Sequence, residues 1–111
     1  MFQVPDEYAL LAFFGAEPIE RAPADGCWCY EFTDRRGVTL RFSFNIFQQS
    51  VQTTVLAAGV PVSTMSHEGA ERLRVDSDRL NCRFSLRGAE STLSVQLGDQ
   101  LGINWSILRT E

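Results

Sequence analysis

Lysine is absent from this sequence, whose ten basic residues are all arginine, and histidine occurs once, as His67. No apolar run approaches the roughly 18 residues that a membrane-spanning helix needs, which argues against a membrane protein. The first residues lack the basic and apolar stretches of a signal peptide, so the cytoplasm is the expected compartment. With 44% hydrophobic and 11% aromatic residues, the chain of 111 residues predicts a single folded domain, 1–111, rather than disorder.

The scarcity of histidine limits the enzyme classes that the sequence allows. A Ser-His-Asp triad or a Cys-His pair would have to use His67, which we expect in a loop beside Glu68. The sequence contains no Gly-x-Ser-x-Gly nucleophile motif, no P-loop and no dinucleotide-binding fingerprint. We therefore predict that the protein is not an enzyme and binds no cofactor. An enzyme that uses His67 or Cys82 is the least favoured alternative.

The three cysteines are an odd number, which argues against a closed disulfide framework. Cys27 and Cys29 share one face of a predicted strand, but a zinc site needs about four ligands. Only Cys82 and His67 remain to complete such a site, and His67 has no partner at ligand spacing. We predict no metal site and expect ordinary buried or half-buried thiols.

Acidic residues are concentrated in the first third of the chain. The formal net charge is −4, and residues 1–34 hold seven carboxylates against the single Arg21. An acidic balance disfavours nucleic acid, because affinity for nucleic acid depends on neutralising phosphates. The same balance favours a cationic partner, since complementary potentials steer association. Solubility alone is the competing explanation.

Side chains alternate between apolar and polar through most of the chain after residue 26. A period of two is typical of antiparallel strands that bury one face. The residues predicted to point into the core are Trp28, Tyr30, Phe32, Val38, Leu40, Phe42, Phe44, Ile46, Leu80, Cys82, Phe84, Leu86, Leu93, Val95, Leu97, Ile103, Trp105 and Ile107. The predicted fold class is therefore α+β, mostly β.

The predicted architecture is a single antiparallel meander of seven to eight strands, forming a curved sheet or flattened barrel, with one N-terminal helix. The helix is expected over about 5–14, where Pro5 opens it and Gly15 ends it. An exposed acidic connection, 16–26, leads to the antiparallel sheet, 27–109. Strands are predicted near 27–33, 37–47, 51–58, 62–66, 79–87, 91–97 and 102–109, while 67–79 fits either a helical turn or a short strand.

Four stretches of the sequence resemble a known class of protein. They are 26–34 (GCWCYEFTD), 37–45 (GVTLRFSFN), 50–53 (SVQT) and 103–106 (INWS). Over roughly residues 5–109 the chain resembles the cytoplasmic immunity proteins of contact-dependent growth inhibition and related polymorphic-toxin systems of bacteria. The resemblance implies a cognate toxin C-terminal domain as partner, basic and often a nuclease, whose active site the immunity protein covers. It implies no catalytic residues, because inhibitors of this kind have none.

Under this interpretation the toxin-binding surface is expected among the acidic residues. The first candidate patch comprises Asp6, Glu7, Glu17, Glu20 and Asp25. The alternative patch comprises Glu68, Glu71, Asp76 and Asp78. Neither nucleic acid nor a membrane is an expected partner. Two other functions stay open: a small-molecule-binding β-barrel-like protein, which would need an apolar cavity, and a structural subunit of a homo-oligomer.

Overall fold

The computed structural model describes residues 1–109. Within that range the chain forms one α-helix, α1 (Glu7–Phe14), one 3₁₀ turn (Pro23–Asp25) and nine strands. The strands are β1 (Glu20–Ala22), β2 (Cys27–Thr33), β3 (Val38–Asn45), β4 (Ser50–Ala57), β5 (Val60–Glu68), β6 (Ala70–Asp76), β7 (Arg79–Leu86), β8 (Ala89–Gln96) and β9 (Gly102–Arg109). Neither helical segment in this range is long and apolar enough to cross a membrane.

The strands form two antiparallel sheets that follow chain order. Strands β1 to β5 make a five-stranded first sheet, and β6 to β9 make a four-stranded second sheet. The predicted mostly-β α+β meander with one N-terminal helix is confirmed, although residues 1–109 hold nine strands rather than seven or eight. The meander is divided between two sheets, and these described residues do not close into a barrel.

Gly69 is where the chain passes from the first sheet to the second. Its φ of +80° lies in the left-handed region, and a Cβ atom there would stand 2.5 Å from the carbonyl oxygen of Ser85. Backbone hydrogen bonds hold the passage on both sides. Ala70 N donates to Gln49 O, and Ser85 N donates to Gly69 O, each at 2.9 Å. Glycine is therefore required at this junction.

One hydrophobic core is shared by the two sheets and the helix. Its buried members include Leu10 and Phe14 of α1, Tyr30, Leu40, Phe42, Phe44 and Val51 of the first sheet, and Leu73, Leu80, Cys82, Phe84, Leu93 and Val95 of the second. The ring of Phe14 stacks on that of Tyr30 with centroids 4.7 Å apart, which seats α1 on the first sheet. The alternation predicted from the sequence thus supplies the facing apolar surfaces.

The structure differs from the sequence-based expectation in segment 16–26 and at His67, and it selects the strand alternative for 67–79. The segment 16–26, expected as an exposed connection, contains β1 and the 3₁₀ turn. β1 pairs with β2 through its main chain while its side chains stay largely exposed, so its sequence shows no alternation. His67, expected in a loop, lies in β5, whose residues are exposed along most of the strand. The ambiguous segment 67–79 contains the end of β5, all of β6 and the turn to β7.

Candidate functional site

Glu7 of the first candidate patch is engaged within the protein. Its Oε1 accepts a hydrogen bond from Arg21 Nε at 2.9 Å and another from Trp28 Nε1 at 3.2 Å. These bonds, the one from Arg21 first, lower the pKa of the Glu7 carboxyl. The carboxylate therefore ties α1 to β1 and β2, and its charge is balanced by Arg21.

Asp6 and Glu17 flank α1, Asp6 at its beginning and Glu17 beyond its end. The Asp6 side chain caps α1 by accepting a hydrogen bond from Ala9 N at 2.8 Å. Burial raises the pKa of Tyr30, and the charges of Glu7 and Glu17 raise it further, which places both carboxylates near that ring. Both carboxylates therefore act on Tyr30, Glu7 from the beginning of α1 and Glu17 from beyond its end.

Glu20 occupies a different face. It lies opposite Cys29 in the β1–β2 pairing, and Cys29 alternates with the buried Tyr30, so Glu20 is on the outer face of the first sheet. There it borders a pocket of about 260 Å³ whose lining mixes polar and apolar side chains. The pocket is lined by Glu20, Ala22, Cys27, Trp28, Cys29, Ser43, Phe44, Asn45, Gln48, Ser50 and Gln52. Asp25 ends the neighbouring 3₁₀ turn, and its carbonyl oxygen accepts a hydrogen bond from Asn45 Nδ2 at 3.3 Å.

Two members of the alternative patch are paired with arginines. Glu71 Oε1 lies 4.0 Å from Arg83 Nε, and Asp76 Oδ1 lies 3.4 Å from Arg74 Nη2. All four side chains are about half exposed or more, so these ion pairs contribute little stability. They do neutralise the two carboxylates locally.

The other two members of the alternative patch are on separate elements. Asp78 lies in the turn between β6 and β7 and accepts a hydrogen bond from Gln96 Nε2 at 3.4 Å. Glu68 ends β5 of the first sheet, opposite Ser50. Among the described residues the Glu68 carboxylate is exposed and has no ion-pair partner. Glu68 therefore stands apart from Asp78.

The outer face of the second sheet is rich in arginine. Four arginines alternate with the buried residues of β6 and β7: Arg72, Arg74, Arg79 and Arg83. Arg83 Nη2 donates to Glu90 Oε1 at 2.9 Å, and this bond raises the pKa of Arg83. Residues 35–111 hold nine arginines against seven acidic residues, and four of these arginines are on this face.

The structure also contains an apolar groove that the sequence pattern does not predict. The groove has a volume of about 490 Å³ and lies where the end of β5 passes the ends of β7, β8 and β9. Its lining residues are Ser66, His67, Glu68, Phe84, Leu86, Ala89, Ser91 and Ile107. We call this surface the β5 groove.

Leu86 and Ile107 show why the β5 groove exists. The alternation in the sequence predicts that both point into the core, yet Leu86 is 50% exposed and Ile107 is 66% exposed. In the register, Ser91 lies opposite both Ile107 and the buried Phe84, so Ile107 is on the core side of the second sheet. The first sheet does not cover this end of the second. Alternation alone cannot reveal this, because covered and uncovered strand ends carry the same pattern.

His67 forms one wall of the β5 groove. Its ring stacks on Trp105 with centroids 4.2 Å apart and lies 5.5 Å from Phe84. His67 Nδ1 is buried and has no hydrogen-bond partner among the described residues. The three rings join the first sheet to the second, so the wall is built from packed aromatic side chains.

The cysteines are poorly suited to nucleophilic chemistry. Burial raises the pKa of the Cys82 thiol to about 12, so the thiol is protonated at neutral pH. Burial and then the charge of Glu20 raise the pKa of Cys29 as well. Cys27 Sγ accepts a hydrogen bond from Asn45 Nδ2 at 3.0 Å. Within residues 1–109 no group of three or more His, Cys, Asp or Glu side chains is placed to hold a metal ion.

No protein-family model matches the sequence, and no curated protein matches it. The structure is similar to a chain of a solved structure described as a contact-dependent growth inhibition toxin–immunity protein complex from Klebsiella pneumoniae 342. The similarity covers 96% of this chain and 97% of that chain, with a TM-score of 0.86 and 20% sequence identity. At this identity the likeness establishes the fold. The resemblance stated from the sequence is confirmed at that level: the chain has the fold of a component of a toxin–immunity complex.

Proposed function

We propose that this protein is an immunity protein, which binds a cognate bacterial toxin domain and neutralises it by covering its active site. The observation that carries the proposal is the likeness to a chain of a toxin–immunity complex at a TM-score of 0.86. Because 96% of one chain and 97% of the other are covered, the likeness involves a whole chain rather than a common motif.

Of the two roles in such a complex, the inhibitor's role suits this chain better. His67 is held in an aromatic stack, and Cys82 is buried and protonated, so neither is prepared to act as a base or a nucleophile. An inhibitor needs only a rigid surface that fits its target. Two sheets packed on a common core supply such a surface.

The proposed partner is a basic toxin domain of the nuclease type, met in the cytoplasm of the producing cell. A nuclease holds phosphates and therefore presents positive charge around its active site. This chain has a net charge of −4, with seven of its 14 acidic residues among the first 34. Complementary potentials would speed the association and make it sensitive to salt.

Co-expression with the toxin domain encoded by the gene immediately upstream tests the proposal. The toxin domain alone should arrest growth of a bacterial host, and co-expression of this chain should restore it. The purified proteins should form a stoichiometric complex in size-exclusion chromatography and calorimetry. A pair that shows neither growth protection nor a complex would overturn the proposal.

A further inference from the structure

The β5 groove is apolar core surface that nothing in the described protein covers. Phe84 forms its buried floor, while Leu86 and Ile107 are exposed at its sides. Continuous exposed apolar surface on a soluble protein commonly marks a site of interaction. The packed ring of His67 makes one wall firm, which reduces the ordering that binding requires.

Strand β5 borders this groove, and one side of its main chain is unpaired with any strand of residues 1–109. It pairs with β4 alone, and no carboxylate or guanidinium occurs from Val60 to His67. Edge strands are commonly protected from pairing by charged residues, proline or a bulge. Here Pro61 and the irregularity beside Leu56 protect only the beginning of the strand. The stretch 62–67 carries none of these devices, and the first charge along the strand is Glu68 at its end.

Three other strands lie at sheet edges: β1, β6 and β9, of which β9 has eight residues, and the first two are less available than β5. Along β6, Gln3 N donates to Glu71 O at 2.9 Å and Leu73 N donates to Gln3 O at 2.8 Å, so the N-terminal segment occupies that edge. At the opposite end of the first sheet, β1 has only three residues. Strand β5 has nine residues and is the longest edge strand in the described part of the chain.

Glu68 gives the groove a charge. Glu68 lines the groove, and its exposed carboxylate has no ion-pair partner among residues 1–109. A partner segment that lies along β5 would therefore gain from a basic side chain beside its apolar one. Basic side chains are expected at the surface of a toxin domain that binds nucleic acid.

We propose that the β5 groove is the docking site for an extended segment of the toxin domain. The segment lies along residues 62–68, inserts an apolar side chain between Leu86 and Ile107 and places an Arg or Lys beside Glu68. Main-chain pairing to an edge strand supplies affinity, and the groove beside it supplies specificity. An apolar side chain buried at the centre of a contact is a typical hot spot. This inference rests on the proposed function and adds the docking surface and the chemistry of the segment.

The first test makes the same Ile→Thr substitution inside and outside the groove. Ile107→Thr keeps a β-branched strand residue but removes apolar surface from the groove, whereas Ile19→Thr makes the same change at a residue that is 51% exposed outside the groove. We expect Ile107→Thr to raise the Kd for the toxin domain about tenfold and Ile19→Thr to change it less than about twofold. Leu86→Gln should behave like Ile107→Thr. Thermal melts establish that each variant is folded.

The outcomes separate the docking site from the function. If the unaltered chain neither protects cells nor binds the toxin domain, the proposed function fails. If it does both, but Ile107→Thr and Leu86→Gln bind as tightly as the unaltered chain, the docking site is overturned while the function stands.

Hydrogen exchange tests the strand pairing independently. Amides in 62–68 should exchange more slowly in the complex than in the free protein, since an added strand protects them. Exchange in the β2–β3 turn should not change. Slowing confined to α1 and β1, with 62–68 unaltered, would overturn the pairing and favour the first acidic patch.

Discussion

The Asp34 carboxylate accepts the backbone N–H of Leu101 through Oδ2 at 2.9 Å, although 67 residues separate the two along the chain. Asp34 Oδ1 also accepts the backbone N–H groups of Arg36 at 2.8 Å and Val38 at 3.1 Å. The Arg36 guanidinium donates two further bonds to Oδ2. This buried side chain therefore fixes the β2–β3 turn and fastens the first sheet to the segment before β9.

Asp34 predicts how stability depends on pH. The bond from Leu101, followed by the other bonds, lowers the pKa of Asp34 from 3.8 to about 2. A carboxyl whose pKa is lower in the folded state stabilises the fold above its unfolded pKa, and this contribution is lost as the pH falls through the folded pKa. We expect the Tm of the unaltered protein to fall between about pH 4 and about pH 2, and Asp34→Asn to flatten that fall.

Asp34→Asn should also lower the Tm at neutral pH by about 5 °C or more, because it removes charge-assisted hydrogen bonds. Thermal melts followed by circular dichroism measure both effects. Asp99→Asn is the control, since Asp99 is 81% exposed and should leave the pH dependence unchanged. Equal pH dependence in Asp34→Asn and the unaltered protein would contradict the assignment.

Alanine substitutions at Gly69 and Gly37 measure the energetic cost of the close approach at the sheet junction. Both have φ near +80°, but only Gly69 has a neighbouring backbone within reach of a Cβ atom. Gly37→Ala should lower the free energy of unfolding by about 1–2 kcal/mol, the cost of the left-handed conformation. Gly69→Ala should lower it by at least about 3 kcal/mol, because Ser85 must also move. Urea denaturation measures both losses, and equal losses would mean that the junction relaxes freely.

The cysteines should differ in reactivity. Cys82 is buried with a pKa of about 12, whereas Cys27 and Cys29 are only partly buried. Iodoacetamide at neutral pH should therefore modify Cys27 first and leave Cys82 unmodified in the native protein, because the thiolate is the reactive form. Peptide mass spectrometry after timed labelling gives the order. Labelling in urea is the control, and there all three should react.

His67 should stabilise the fold through the packing of its ring rather than through hydrogen bonds of its nitrogens. His67→Phe keeps an aromatic ring against Trp105 and removes the buried Nδ1, so it should raise the free energy of unfolding by about 1 kcal/mol. His67→Ala loses the stack and should lower it by about 2 kcal/mol. Chemical denaturation compares the two. A loss of stability in His67→Phe as large as that in His67→Ala would show that a nitrogen is needed.

The sequence predicts the strands that bury one face. It does not predict an exposed edge strand or the division into sheets, because these depend on main-chain hydrogen bonds. The bounds of β2, Cys27–Thr33, agree with the prediction because the buried Tyr30 alternates with Glu31 and the exposed Thr33 on the opposite face. Strand β5 extends beyond its predicted range because an edge strand with exposed side chains needs no alternation. The division into two sheets depends on hydrogen bonds at Gly69, which leave no pattern in the side chains.

The candidate site is less predictable than the fold for a similar reason. Composition reveals the acidic first third, but it does not reveal that Arg21 neutralises Glu7. The β5 groove arises where the first sheet ends before the second. Leu86 and Ile107 follow the same alternation as core residues in the sequence, but they are exposed because of this packing. Whether the end of a strand is buried depends on how the two sheets pack, and the sequence of that strand does not determine it.

The first acidic patch can be separated into steering and structural residues. The carboxylates of Glu17, Glu20 and Asp25 are exposed and have no ion-pair partner among the described residues, whereas Glu7 pairs with Arg21. Replacing the first three by their amides should slow association with a basic toxin domain by about tenfold at low salt and flatten the dependence on salt. Stopped-flow association rates at several salt concentrations measure this. Glu7→Gln should instead lower the Tm, because its bonds tie α1 to β1 and β2. If the triple variant associates at the unaltered rate with the same salt dependence, electrostatic steering comes from elsewhere on the surface, with Glu68 at the β5 groove the next residue to replace.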